Sequence, residues 1–427
     1  MAIAGCRGGP APSGDGPQAV ATPAADPAEV LALASSRGDG PVDKAIVRAQ
    51  RVATKLPAQP AAWTGLGAAW VGKARATTDP GFYLNAGACA DLALRASPDD
   101  PAALDLRALV LLNDHRFEQA RALAAANIAR APEDAAAYGA LSDALLELGR
   151  LDEAVTATQA MMDLKPNAAA YSRAAHLRWM NGDVAGAERA MRSAIDATAP
   201  GPGSEARAWT LTDAAMLFWQ KGDYEGADAG FDKALEAFAD YPPALVGKAR
   251  VHLARGEGAA AAAVLARAYE RSPLVETAWL LGDARGLTGD ETGAREAYDR
   301  VEHLGARVDP RTLSLFESTK GRDAAAALAL ADRERSTRDD PYTEDAYAWA
   351  LYRSGRLPEA RRAIDEATRW GTPDARFLYH AGAIRLAQGD RTHGRALVAR
   401  ALALNPQFDR TAAGEARELL GDSHAPL

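Results

Sequence analysis

The chain has 427 residues, and 49 Lys and Arg against 57 Asp and Glu leave a formal charge of −8. That balance argues against a nucleic-acid binder, which needs a basic surface to displace counterions, and no apolar run approaches the ~18 residues that span a bilayer. Alanine fills 102 positions against 27 Phe, Trp and Tyr; as the best helix former it points to an all-α protein with closely packed helices. Two cysteines, Cys6 and Cys89, cannot make a disulfide framework or a thiolate metal cage.

The segment from Arg7 to Ala28 is unlike the rest, with 15 of its 22 residues Gly, Pro or Ala and Val20 its only large aliphatic. It cannot bury enough apolar surface to offset its ordering entropy, so residues 1–25 are expected to be a flexible tether. Immediately before it stands Ile3-Ala4-Gly5-Cys6. That tetrad is similar to the lipobox of bacterial lipoproteins, an aliphatic residue and two small ones before the cysteine that takes the lipid. The resemblance implies lipidation at Cys6. Only Met1 and Ala2 precede the tetrad, so this reading expects a start further upstream that supplies the charged and apolar parts of a signal peptide. The alternative is an ordinary disordered N-terminus.

From residue 26 onward the chain repeats. A small residue follows a turn at Ala45, Ala86, Ala120, Ala154, Ala187, Ala227, Ala261, Ala294, Ala326, Ala360 and Gly394, and eight of the ten spacings lie between 32 and 34. Gly149 leads to Ala154 and Pro166, and Gly256 leads to Ala261 and Pro273, in the same frame. Each unit resolves into two helices. In the unit from 135 to 167, Tyr138, Leu141, Ser142 and Leu145 form one apolar face with a small residue at its centre. Gly149 supplies the left-handed residue that ends this helix, and Pro166 stops the second. Leu104, Arg107, Ala108 and Leu111 have the same spacing, as do Ala278, Leu281, Gly282 and Arg285. The third place in each set is small because two helices cross there at close range.

This pattern resembles the tetratricopeptide repeat, with a large residue at its fourth position, Leu at the seventh, Gly or Ala at the eighth, Ala at the twentieth and Pro near the end. The resemblance implies an all-α, right-handed solenoid of tandem antiparallel helix pairs. Eleven units start near 26, 60, 101, 135, 168, 208, 242, 275, 307, 341 and 375, so the array runs from 26 to 408. The unit at 60 holds an insertion around Thr77–Gly81. The unit at 307 departs most, with Pro310 at a large-residue place and Arg333 on its second helix, and an irregular pair or a bend is expected there. Residues 409–427 read as a polar-faced capping helix and tail. Each repeat is expected to contact mainly its neighbours.

Little in the sequence suggests catalysis. None of the seven histidines has a second His or Cys at metal-ligand spacing, no phosphate loop or nucleophile elbow is present, and no cofactor is implied. Acid pairs such as Asp99-Asp100 and Asp339-Asp340 fall at helix N-termini, where carboxylates favour the helix dipole. Cys89 reads as a buried small hydrophobe. The expectation is a non-enzymatic protein.

If the repeats coil as the resemblance implies, the first helix of each pair lines a concave face. The inward positions supply His176, Trp179, Met180, Trp209, Met216 and Trp219 in one stretch, then Trp279, Trp349, Tyr352 and Tyr379 in another. Aromatic and Met side chains in a groove anchor partner peptides, although any of these rings could instead pack between repeats. The Lys and Asn clamp with which chaperone-binding relatives hold a C-terminal carboxylate is missing: the matching places carry Asp105 and Leu109, Gly139 and Asp143, then Ser172 and His176. The sequence therefore reads as a scaffold that holds a protein or peptide partner, lipid-anchored on the periplasmic side of a bacterial envelope and touching the membrane only through Cys6. A cytoplasmic adaptor, or the recognition arm of an enzyme on a separate chain, remains open.

Overall fold

A computed structural model describes residues 26–421; Cys6 and the rest of the tether up to residue 25 lie outside them. Among the described residues there are 23 helices and no strand. The chain opens with α1 (Pro27–Ala32) and α2 (Pro41–Lys55), followed by the pairs α3 (Pro60–Thr77) with α4 (Phe82–Ala96), α5 (Pro101–Asn113) with α6 (Phe117–Arg130), and α7 (Ala135–Glu147) with α8 (Leu151–Leu164). Next come α9 (Ala168–Met180) and α10 (Val184–Asp196), α11 (Glu205–Gln220) and α12 (Tyr224–Ala237), α13 (Pro242–Ala254) and α14 (Gly258–Arg271), and α15 (Val275–Leu287) and α16 (Glu291–Val308). The array ends with α17 (Pro310–Thr319) and α18 (Ala324–Arg335), α19 (Pro341–Arg353) and α20 (Leu357–Thr368), α21 (Ala375–Ala387) and α22 (Arg391–Leu404), and the single helix α23 (Arg410–Leu420).

The helices start where side chains satisfy their free N–H groups. Asp100 accepts from the Ala103 amide at 2.9 Å, and Asp340 accepts from the Tyr342 amide at 2.9 Å, so the second acid of each pair acts as the cap. The Gly-Asp-x-x-Gly-Ala strings have the same origin. Gly182 takes φ +77°, and the Asp183 carboxylate accepts from the Gly186 amide at 2.8 Å. A Cβ on Gly186 would collide with that carboxylate.

The small residue after each turn is where the paired helices meet: Ala120, Ala154, Ala187, Ala227, Ala261 and Ala360 are all 0% exposed. Among the first helices, Ser142 donates to the Ala154 carbonyl at 3.1 Å, and a Cβ on Gly282 would enter the Tyr298 ring. In the unit at 307 the buried residue is Ala327 and not Ala326, which is exposed. Moving the register by one turns the uneven spacings around it into 33 and 33, because 327 − 294 and 360 − 327 are equal. This unit is irregular in length instead: α16 runs on for 18 residues, Asp309 ends it and caps α17 at once, and α17 has only 10. The insertion at Thr77–Gly81 is absorbed by lengthening α3 to 18 residues. At the start, α1 packs against α4 and not against α2, so the unit at 26 is not a packed pair: Asn85 of α4 donates to the Leu31 carbonyl at 2.7 Å, and the Trp70 indole N–H of α3 donates to the Ala32 carbonyl at 3.0 Å.

Each repeat does pack mainly against its neighbours, but a second set of contacts joins repeats far apart in the chain. Turns within the early pairs touch the loops that follow pairs five places later. Ser272 donates to the Thr78 carbonyl at 3.1 Å, the Asp339 amide to the Glu147 carbonyl at 3.0 Å, and Thr372 to the Met180 carbonyl at 2.8 Å. Asn405 donates to the Trp219 carbonyl at 2.8 Å and accepts from the Tyr224 hydroxyl at 2.7 Å. The Met180 contact spans 192 residues, which at ~34 per repeat is between five and six repeats for a full superhelical turn. Successive turns therefore lie against one another along a seam.

Arg338 sits at the middle of that seam, 7% exposed, 3.0 Å from Glu147, 3.1 Å from Asp340 and 5.4 Å from the Phe117 ring centre. Gly149 is there because of both its conformation and its surroundings: φ is +68°, and a Cβ would stand 2.6 Å from the Asp339 carbonyl oxygen. Gly355 has φ +74° with nothing within 4 Å. Gly355→Ala should then cost about 1–2 kcal/mol, the penalty of a left-handed alanine, whereas Gly149→Ala should cost about 1–3 kcal/mol more by pushing the seam apart. Urea unfolding of the two variants measures the difference, and equal losses would mean that the seam adds nothing to stability.

Candidate functional site

Between the seam and the concave ends of α3, α5, α7, α9 and α11 lies a cavity of about 990 Å³. Tyr241 and Pro243 at the start of α13, Leu274 and Tyr342 complete its wall. The largest side chains turned to it include Trp209, 41% exposed, with half-buried Met216 and exposed His176 beside it.

Its charges are nearly, but not fully, compensated. Arg173 grips Asp143 with two nitrogens, at 2.8 and 2.6 Å. Burial pushes the Glu205 carboxyl up, and Arg75 opposes that shift; Tyr241 donates to Glu205 at 3.4 Å. The His176 ring is open to the cavity but enclosed by the helices around it, and that desolvation holds its pKa below its ordinary value, against the pull of Asp143. Asp213 stands apart. Among the described residues no partner stabilises its carboxylate, and burial alone pushes its pKa up to about 7.

The sequence-derived groove residues separate into two groups. The cavity brings together His176, Trp179, Trp209 and Met216. Of these Trp179 offers little surface: it is 3% exposed and packed with Tyr342 and Trp370 across the seam. Met180 is fully buried in the same cluster. Trp219 is buried under the Arg250 guanidinium, at a second cavity of about 260 Å³ which Gln407 and Phe408 close. Trp279 meets Phe316 edge-on at 5.5 Å. Trp349, 1% exposed, stacks on His380 at 4.0 Å and on Tyr352 at 4.7 Å, and buried Tyr379 donates to Glu415 of α23 at 2.6 Å. In this half the inward rings form the packing, because α23 and the loop before it occupy the concave side. The sequence reading missed Asp213 and Arg75. Asp213 lies about one turn after Trp209 and one turn before Met216, and a lone acid between such residues was the available signal.

Cys89 is fully buried, its thiol pKa pushed up to about 12, which suits a packing role. Among the described residues no group of His, Cys, Asp and Glu could hold a metal ion, and no helix is long and apolar enough to cross a membrane.

Asp213 makes stability depend on pH. Its folded pKa lies above the unfolded value near 3.8, so the folded state holds the proton more tightly, and stability falls as pH rises through the interval from 3.8 to about 7. Asp213→Asn should melt higher than wild type at pH 8, with the advantage shrinking steadily below pH 7 and gone near pH 3. Melting curves across that range check this; a pH-independent difference would show that the carboxylate is not the cause.

Family models described as tetratricopeptide repeat match residues 106–169, 218–282 and 346–408. No curated protein matches the chain. Among solved structures, the human IFIT1 dimer with PPP-AAAA is similar at 14% identity, with 86% of this chain and 87% of that chain covered and a TM-score of 0.50. The Cut9-Hcn1 hetero-tetramer of the APC/C shares 14% identity over 90% of this chain and 93% of that one, with a TM-score of 0.38. PilW, a type IV pilus biogenesis factor, shares 18% identity over 48% of this chain and 93% of its own, with a TM-score of 0.40. At these identities the likeness to IFIT1 is one of fold. Tetratricopeptide repeats indicate a scaffold for protein–protein interaction, and the fold is typically non-catalytic. With ten packed helix pairs among the described residues and three matched stretches, the chain is a tetratricopeptide repeat protein.

Proposed function

We propose that the chain captures an extended segment of a partner protein in the cavity of α3 to α11, with a Lys or Arg side chain of that segment against Asp213. The observation that carries this is the pairing of an accessible Trp209 with an uncompensated carboxylate in one large cavity. Its charged lining is Asp143, Glu205 and Asp213 against Arg75 and Arg173, with one more carboxylate than guanidinium. A phosphate chain gains nothing from that excess, whereas a cationic side chain supplies what Asp213 lacks. Trp209 and Met216 give the apolar anchor.

A photo-crosslinking residue in place of Met216 should capture a partner protein in native cells, and one in place of Val155, exposed on α8 away from the cavity, should not. Trp209→Ala should cost about 2 kcal/mol or more of binding while leaving unfolding within about 0.5 kcal/mol of wild type. Trp179→Ala should instead lose about 3–5 kcal/mol of stability. Equal labelling from both positions, or a partner retained by Trp209→Ala, would count against the cavity.

The scaffold is lipid-anchored at Cys6 on the periplasmic side of a bacterial envelope; the support for this is Ile3-Ala4-Gly5-Cys6 followed by the Gly-, Pro- and Ala-rich tether. Cys6→Ser in a precursor carrying its signal peptide should move the protein from the detergent phase to the aqueous phase, since a multiply acylated cysteine anchors stably. Unchanged partitioning would favour the unanchored adaptor.

A further inference from the structure

We propose that the outer face of α2 docks on an anionic phospholipid surface. The observation is independent of the cavity and of any acylation. Lys44, Arg48, Arg51 and Lys55 follow at steps of four, three and four, which places all four on one stripe of the helix. At 1.5 Å per residue the stripe is roughly 16 Å long. Every one of the four is exposed, and among the described residues none is in an ion pair.

The acids that could neutralise the stripe are largely engaged elsewhere. Four lie between residues 26 and 56. Asp43 is buried against Lys73 at 2.7 Å, and Asp26 is held by Arg95 at 2.5 Å, which leaves Glu29 and Asp39. In a chain of net charge −8 this end is therefore locally positive.

Aliphatic side chains flank the cations on both sides: Val47 is 40% exposed, Val52 47% and Leu56 42%. The clustering is not general: among the described residues, seven of the thirteen exposed large apolar side chains fall between residues 30 and 84. The opposite face of α2, with Ile46 and Ala53 at 0% exposure, is spent on packing toward α3. α2 packs on α3, and among the described residues no repeat lies on its other side.

Cations in a stripe bordered by aliphatics match a bilayer interface, where phosphates lie above acyl chains. A nucleic acid would use the cations and leave Val47, Val52 and Leu56 in water. A second copy of this face would set like charges against each other. The charge pattern therefore favours an anionic lipid over both.

The test uses the full chain with Cys6→Ser, so that no acyl chain contributes. It should sediment with vesicles of phosphatidylglycerol and phosphatidylcholine in equal parts, sediment little with phosphatidylcholine alone, and be released by salt. Each cation lost should weaken partitioning about fivefold. Arg48→Gln with Arg51→Gln should thus reduce it about 25-fold, and Val52→Ser with Leu56→Ser should weaken it further than salt alone explains. These residues are exposed, so circular dichroism and melting should stay at wild-type values. The proposal is overturned if the protein ignores anionic vesicles, or binds both vesicle types equally, or if the Arg48→Gln, Arg51→Gln protein binds as wild type. It is also overturned if the double Arg variant abolishes self-association or RNA binding while vesicle binding is unchanged.

Discussion

The contact of Arg338 with Glu147 and Asp340 holds together two parts of the chain that the repeat pattern alone would leave apart. A buried guanidinium is worth its desolvation only when carboxylates and hydrogen bonds surround it, and here they come from α7 and from the loop before α19. The seam on either side is made largely of main-chain carbonyls at Thr78, Glu147, Met180 and Trp219. These are the unsatisfied groups that every helix leaves at its C-terminus. Five pairs later the chain brings donors to them. The superhelix is thereby closed on itself, and stability cannot be a sum over adjacent repeats only, as it is in an open solenoid.

Closure also decides what the concave side can do. In the second half, polar groups fill it: Lys320 reaches Asp283 at 2.6 Å and Thr411 at 2.8 Å, Tyr298 donates to Asp283 at 2.6 Å, and buried His380 meets Asp345 at 2.7 Å. The first three contacts tie α15 to α16, to the end of α17 and through it to α23, and the last ties α21 to α19. The first half has no such filling, and its inner side remains a cavity. The same fold thus has a filled half and an open half.

The repeat frame was readable because it rests on local physics. A left-handed residue must end each first helix, and a small residue must stand at each crossing, so Gly149, Ala154 and Ser142 reveal their roles from spacing. Where several alanines run together, as in 324–327, spacing cannot choose among them, and only burial identifies Ala327. The cavity was only half readable. Repeat position tells which side of a helix faces inward, and it placed Trp179 and Trp209 alike. It does not tell whether the next superhelical turn covers that side, because pitch accumulates from small rotations spread over every interface. Trp179 is covered by Tyr342, from 163 residues further along, and Trp209 is not.

That closure limits the kind of occupant the cavity can take. Admitting a folded domain would require parting the seam, which means exposing the carbonyls it satisfies and leaving Glu147 without Arg338. Breaking a buried ion pair by removing one partner typically costs about 3–5 kcal/mol, a large share of the ~5–15 kcal/mol that holds a domain together. A flexible segment enters without that cost. It must offset its own ordering entropy instead, and Asp213 bears on that balance. The folded chain retains a carboxylate that burial destabilises, with a pKa of about 7, so a cation arriving beside it recovers free energy that the empty cavity has already given up. A lone acid that weakens the free protein would therefore strengthen the proposed complex, and selectively so for segments that bring a positive charge to that one place.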